Sequence, residues 1–238
     1  MSIKMKRLVG FLGLLTFCLP VILVSCKSKD KKLPDKNVID NVYFDYKISA
    51  EEGYDNLTVL LKYRDGDKAG EAITSAALQN VKLDDEILVP DSSKLNGVFY
   101  EIQKPINAFS GNHNITFSAT DGKEYKEEIN FFPMQLTTSI PENIHREDLV
   151  LDFVGLENED YVRIVLTDTS FFNDGINRID TILNNQLILS KKDLDNLADG
   201  PILLEFIREF ERPIKNAGEV GGRVRINYTL RRSFNLQN

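Results

Sequence analysis

The stretch Gly222–Arg231 reads GRVRINYTLR, and its strict alternation decides the fold class of this chain. Every second residue is apolar, the set being Val224, Ile226, Tyr228 and Leu230. A period of two places such residues on one face of a β-strand and the polar residues between them on the other. The preceding stretch Ile202–Phe210 has the same period, so the sequence predicts two long strands near the end of the chain.

These two stretches are predicted to pair as an antiparallel hairpin with a loop centred near Ala217. That register places Glu211 opposite Arg223 and Glu209 opposite Arg225. Opposite charges that face each other across a strand pair contribute about 0.2–1 kcal/mol each. The alternative for this arginine stripe is a basic binding site, but the acidic residues opposite it favour a structural role.

Working outward from the hairpin, residues 37–134 contain about seven short alternating stretches separated by turn residues, a pattern typical of an immunoglobulin-like β-sandwich. One pair of stretches flanks Asp121-Gly122, a dipeptide typical of a two-residue hairpin turn. Pro133 ends the last stretch, because proline cannot donate a ladder hydrogen bond. Residues 37–134 are therefore predicted to form one sandwich domain.

Residues 135–238 continue in the same style and are predicted to form a second sandwich. The sequence Ser190-Lys191-Lys192-Asp193 indicates a short helix between strands, closed by Gly200. Serine is a favourable N-cap, and an acidic residue three positions later can complete the cap. The predicted fold class is all-β, with two tandem immunoglobulin-like β-sandwich domains.

The first 25 residues have the layout of a secretory signal. A basic start precedes the apolar run Leu8–Val24, which is slightly short for a transmembrane helix. The run ends in Leu23-Val24-Ser25-Cys26, which resembles the lipobox of bacterial lipoproteins. Cys26 is therefore predicted to be lipidated and to become the mature N-terminus. The alternative is a signal anchor with an incidental cysteine.

Residues 26–36 are predicted to be a flexible tether behind the lipid. Residues 27–36 hold five lysines and two aspartates without periodicity, and they could reach at most about 33 Å. Removing the signal leaves 26 basic and 36 acidic residues, a formal charge of −10, of which the body after residue 36 carries −13. An acidic body argues against nucleic acid as a partner, because binding phosphates requires a basic face.

Candidates for catalysis, cofactors and metals are weak. The acidic run at Glu157, Glu159 and Asp160 is a candidate calcium site at the end of a sandwich, with an ordinary turn as the alternative. His113 and His145 lack a second histidine at ligand spacing. No cofactor motif is present, so we expect no cofactor and no enzymatic activity.

Phe171 and Phe172 are candidate contact residues. They are adjacent aromatics in a segment rich in turn residues. Neighbouring residues of a strand face opposite sides, so both cannot enter one core. The favoured interpretation is that both rings pack under a loop, and the alternative is that one packs on the core while the other is exposed for binding.

Four features of the sequence together resemble cell-envelope lipoproteins of the Bacteroidetes. They are the lipobox, the lysine-rich tether, the strand Gly111–Phe117 with its Asp121-Gly122 turn, and the terminal strand. Members of that group carry tandem immunoglobulin-like domains. The resemblance implies a lipid-anchored protein of the outer membrane, facing the periplasm or the cell surface.

Three functions remain open at this point. The first is a non-enzymatic interaction or scaffold protein that holds an envelope protein partner. The second is a glycan-binding accessory of a nutrient-uptake system, although the chain has no tryptophan on which a sugar could stack. The third is an enzyme whose site is assembled from dispersed residues.

Overall fold

The hairpin predicted at the end of the chain lies in the middle of the main sheet. The computed structural model describes residues 41–73, 78–94, 96–119, 122–156, 160–169 and 175–238. Within these ranges, sixteen strands and one short helix follow one another. They are β1 (Val42–Glu51), β2 (Asn56–Asp65), β3 (Leu78–Leu83), β4 (Glu86–Ile87), β5 (Pro90–Ser93), β6 (Gly97–Pro105), β7 (Gly111–Ala119), β8 (Glu124–Phe131), β9 (Gln135–Leu136), β10 (Asn143–His145), β11 (Leu149–Val154), β12 (Tyr161–Thr167), β13 (Ile176–Thr181), β14 (Gln186–Leu189), α1 (Lys191–Asp195), β15 (Gly200–Pro213) and β16 (Gly222–Gln237).

Nine of the described strands form one sheet, which we call the central sheet. Its order is β13-β12-β15-β16-β1-β2-β6-β5, and β10 also pairs with β16. Two smaller sheets have the orders β4-β3-β7-β8 and β14-β11-β9. All three sheets belong to one unit of the chain, Leu33–Asn238.

Ring contacts join the central sheet to both smaller sheets. Phe44 and Tyr63 lie 5.9 and 5.2 Å from Phe117 of β7, measured between ring centroids. Phe153 of β11 meets Phe206 of β15 edge to face at 5.1 Å. The buried apolar residues of the inward faces form one continuous core. The all-β sandwich fold predicted from alternation is therefore confirmed.

The register of the terminal hairpin differs from the predicted one. Glu211 lies opposite Arg225 rather than Arg223. Glu209 lies opposite Asn227 rather than Arg225. The reason is the loop, which is centred one residue later than predicted and is closed by a hydrogen bond between residues 218 and 221. Because the partner of each residue shifts by two positions along β16, every side chain keeps its predicted face.

The strand β16 pairs with strands from both sides of the predicted domain limit at residue 134. Its first half pairs in parallel with β1, which lies in the segment predicted as the first domain. Along its whole length it also pairs with β15, which joins β12 of the second segment. The limits 37–134 and 135–238 remain a prediction, but the terminal hairpin supplies strands to the sheet beside both segments.

The predicted short helix is present as α1. The Ser190 hydroxyl accepts a hydrogen bond from the Asp193 N–H, and the Asp193 carboxylate accepts one from the Ser190 N–H at 2.9 Å. The helix ends at Asp195, earlier than the expected stop at Gly200. Within the ranges given above, no helix has the length and apolar character needed to cross a membrane.

Candidate binding face

The face of the central sheet that points away from the core, here called the outer face, carries polar side chains on adjacent strands. The strand register brings one line of them across five strands, namely Glu209, Asn227, Ser49, Thr58 and Gln103. Neighbouring strands lie about 4.8 Å apart, so this polar band is about 19 Å long. Backbone pairing between the neighbouring strands holds the members of the band at fixed spacing.

Asp45 is a carboxylate on the outer face with only 6% of its surface exposed. Arg223 Nε and Arg225 Nη2 both lie 3.0 Å from Asp45 Oδ1. Burial acts to raise the pKa of Asp45, but the hydrogen bond from Arg223 and the charges of both arginines outweigh it, so the pKa lies below its ordinary value. Asp45 was not predicted from the sequence as a residue of the site. Its position between Phe44 and Tyr46 of a strand nevertheless requires its side chain to face away from the two aromatic rings.

Arginines of the outer face pair with acidic side chains, as predicted for Arg223 with Glu211, but the predicted pair of Arg225 with Glu209 is not formed. Glu211 lies diagonally across the hairpin from Arg223 instead of directly opposite, and Glu209 pairs with Arg163 of β12. Exposed pairs of this kind contribute at most about 1 kcal/mol each. The pairs are Arg223 with Glu211 at 3.2 Å, Arg231 with Glu205 at 2.7 Å and Arg163 with Glu209 at 3.1 Å.

A hollow of about 360 Å³ opens beside Tyr54, at the turn between β1 and β2. Tyr54 is 65% exposed, so its ring is available for contact. The hollow thus combines an aromatic surface with hydrogen-bonding groups on three paired strands. The polar side chains that line it are Lys47, Ser49, Glu51, Asn56, Asn227 and Thr229.

A second hollow, of about 410 Å³, also borders Tyr54. Pro105, Pro133 and Tyr228 contribute to its lining. Tyr54 therefore lies between two concave surfaces. No motif in the sequence marks it, because its role depends on the hairpin turn and on β16, which is far away in the chain.

Most of the site residues predicted from the sequence lie outside the described residues: Cys26, Glu157, Glu159, Phe171 and Phe172. Asp160 is described, and its Oδ2 lies 2.8 Å from Arg208 Nη2, with 12% and 10% of the two side chains exposed. Asp160 thus neutralises a buried cation. Among the described residues, no group of three or more His, Cys, Asp or Glu side chains is placed to hold a metal ion.

Arg208 also lines a cleft of about 250 Å³ on the inward side of the terminal hairpin, together with Phe210 and Arg212. Its Nη1 donates to the Gly155 carbonyl at 3.2 Å. Arg212 forms an ion pair with Glu127. Both arginines of this cleft therefore have carboxylate partners.

The histidines have structural partners. His113 Nδ1 lies 2.9 Å from Asp84 Oδ2 and its Nε2 lies 3.1 Å from the Phe109 carbonyl, with the two rings stacked at 3.7 Å. His145 Nδ1 lies 3.0 Å from the carbonyl of Asn238. In His113 both ring nitrogens are engaged, so neither is free to exchange a proton with a substrate.

No protein-family model matches this sequence, and no curated protein matches it. Among solved structures, the chain is similar to DIP-gamma IG1+IG2, with 11% identity over 84% of this chain and 100% of that chain and a TM-score of 0.23. It is also similar to SGBP-B of the Bacteroides ovatus mixed-linkage glucan utilization locus, solved with a mixed-linkage heptasaccharide, with 14% identity over 76% of this chain and 43% of that chain and a TM-score of 0.25. A third is Titin-A168169, with 10% identity, 79% and 98% coverage and a TM-score of 0.25. Values this low carry no argument about ligand or partner.

Proposed function

We propose that this chain is a non-enzymatic binding protein of the bacterial cell envelope, held in the outer membrane through lipid on Cys26. The lipobox and the lysine-rich tether of residues 27–36 support the anchor. The outer face of the central sheet is the proposed binding surface. The ligand that this surface fits best is a glycan.

The hollow beside Tyr54 carries the proposal. A sugar presents hydroxyl groups around its rim and C–H groups on its face, so it needs hydrogen-bonding partners beside an aromatic surface. Ser49, Asn227 and Thr229 supply hydroxyl and amide groups, and Tyr54 supplies the exposed ring. A stable protein interface is built differently, because its buried core is depleted of charged residues.

The strand positions of the hollow also favour binding. Ser49 lies directly between Asn227 of β16 and Thr58 of β2 in the register. Groups that the backbone already holds in place lose little conformational entropy when a ligand arrives. A glycan lying along the polar band would therefore meet preorganised donors and acceptors over several sugar units.

Affinity electrophoresis of the full-length protein, purified in detergent, tests this function with gels that contain neutral or acidic polysaccharides. We expect Tyr54→Ala to weaken the affinity for the bound polysaccharide, measured from the retardation, about fivefold, because the ring contact contributes about 1 kcal/mol. Ile87→Ala is the control, since Ile87 is 62% exposed but lies on β4, in a different sheet. No retardation by any polysaccharide, or equal effects of the two variants, would contradict the proposal.

A protein partner is the second candidate, favoured by an apolar patch on the outside of the β14-β11-β9 sheet. Val150 and Ile188 lie directly opposite each other there and are 43% and 52% exposed. Contiguous exposed apolar residues mark protein contacts. A pull-down from detergent-solubilised envelope tests this role, and Ile188→Asp should remove the partner while leaving polysaccharide binding intact.

A further inference from the structure

Positive charge is concentrated on one part of the outer face, which we call the cation cluster. The body of the chain carries a formal charge of −13, so the cluster reverses the prevailing sign. Among the described residues, two acidic side chains lie within it, Asp45 and Glu211. The cations of the cluster are Lys47, Lys62, Arg64, Arg223 and Arg225.

The register places these cations on three adjacent strands. Asp45 on β1 lies between Lys62 on β2 and Arg223 on β16. Lys47 lies opposite Arg225 on the same face. Residues paired across strands have Cβ atoms about 5 Å apart, so the positive charges lie side by side.

The two acids neutralise the arginines of β16 but not the rest of the cluster. Lys62 Nζ donates to the neutral Asn96 Oδ1 at 2.8 Å, and Arg64 Nη1 donates to the Gly70 carbonyl at 3.1 Å. Lys47 makes no hydrogen bond or ion pair with any described residue. Apart from Asp45, two residues along β1, the acids in the row of Lys47 are Glu211 and Glu101, each two strands away, about 10 Å.

The hydrogen bonding of the cluster is also incomplete. Arg225 uses Nη2 for Asp45, while its Nε is buried without a partner in the described part of the chain. Burial is the largest cause of a lowered pKa of Lys62, and the neighbouring Arg64, Arg225 and Lys47 lower it further, against the opposing effect of Asp45. Both observations indicate cations held close together without enough anions.

The cluster is continuous with the hollow beside Tyr54, because Lys47 lines that hollow and also faces Arg225. We infer that the ligand of the outer face is an acidic glycan, whose carboxylate or sulfate groups contact Lys47 and Lys62 while its sugar rings lie along the hollow. This inference rests on the proposed glycan-binding function and specifies the chemical class of the ligand. Charge-assisted hydrogen bonds from lysine to such an anion are stronger than neutral ones.

Anionic lipid headgroups offer the same charge without the sugar chain, so the experiment must separate the two sources. The first pair of probes is polygalacturonate and its methyl ester, which share one backbone and differ in charge. The second pair is vesicles of phosphatidylglycerol and of phosphatidylcholine. Full-length protein in detergent is titrated with the polysaccharides by calorimetry. Vesicle binding is measured by flotation of the body 37–238 without detergent, because this body lacks Cys26 and has no lipid of its own to insert.

We expect polygalacturonate to bind about tenfold or more tightly than its methyl ester, and less tightly as salt is raised, because salt screens exposed charges. Lys47→Gln and Lys62→Gln should each reduce the affinity for polygalacturonate about tenfold, and Lys62→Gln, which lies outside the hollow, should leave the affinity for the ester unchanged. Lys82→Gln is the matched control, since Lys82 lies on β3 in a different sheet. Unfolding temperatures of the three variants should agree, which separates lost binding from lost folding.

Each of the other outcomes has a distinct meaning. Equal binding of polygalacturonate and its ester, sensitive to Tyr54→Ala but not to Lys62→Gln, would overturn the acidic ligand and leave the proposed glycan function standing. Lysine-dependent binding of phosphatidylglycerol vesicles without polygalacturonate binding would overturn the inference in favour of a membrane contact. Failure of all polysaccharides to bind would contradict the proposed function itself.

Discussion

Arg223 Nε lies 3.0 Å from Asp45 Oδ1, although 178 positions separate the two residues in the chain. The contact joins β1 to β16 on the same stretch where their backbones pair in parallel. It leaves the Asp45 carboxylate almost fully buried on what is otherwise the solvent side of the sheet. The first described strand and the last are thus held together by charge as well as by the backbone ladder.

Replacing Asp45 by asparagine should lower the free energy of unfolding by about 3 kcal/mol. The reason is that Arg223 and Arg225 would lose the anion that both of them contact. Urea unfolding at neutral pH measures the change. Asp85→Asn, in the turn between β3 and β4, is the control and should leave the midpoint nearly unchanged, since a surface substitution there removes no such contact. Equal midpoints for Asp45→Asn and the parent protein would contradict the role of Asp45.

Stability should also fall in acid. Burial acts to raise the pKa values of Asp45, Asp84 and Asp193, but hydrogen bonds and neighbouring positive charges together outweigh it, so these pKa values lie below the ordinary one. A carboxyl group with a lowered folded-state pKa stabilises the fold fully above its unfolded pKa, about 4, and loses that contribution as the pH falls below it.

The urea midpoint should therefore be lower at about pH 3 than at about pH 7. Asp45→Asn should show a smaller decrease than the parent protein, because one of the groups responsible is missing. A decrease of the same size in both proteins would assign the acid sensitivity to other carboxyl groups.

Replacing Cys26 by alanine should leave the full-length chain unlipidated and uncleaved, because the lipobox then has no thiol to receive the diacylglyceryl group. Metabolic labelling with a radioactive fatty acid and gel mobility measure both effects. Cys18→Ala is the control and should be labelled and processed normally, since Cys18 follows the bulky Phe17 and fits the lipobox poorly. A labelled, processed Cys26→Ala protein would exclude the predicted anchor.

A fragment ending at residue 134 should not fold cooperatively. It would lack β16, which pairs with β1, and also Tyr228, whose ring lies 6.2 Å from that of Phe131. Thermal unfolding followed by circular dichroism compares the fragment 37–134 with the body 37–238. A sharp transition of the short fragment would instead show that the predicted first domain is independent.

Sequence reasoning located many of the strands because the signal for a strand is local. The stretches Ile202–Phe210 and Gly222–Arg231, predicted as strands from their alternation, lie within the observed β15 and β16. The helix at Ser190 was predicted for a similar reason, since its cap is made within four residues. The predicted hairpin register was wrong: the loop is centred one residue later, so each residue of β15 pairs two positions further along β16. The loop that sets the register has no strong turn motif.

The sequence by itself determined the all-β class and the two faces of most strands. These properties follow from a period of two, which each strand carries alone. Only the tertiary structure decided that β1 lies beside β16, that Asp45 is shared by two arginines, and that Tyr54 borders a polar hollow next to unmatched lysines. Those features depend on which strand pairs with which, and partners 178 residues apart leave no periodic trace in the chain.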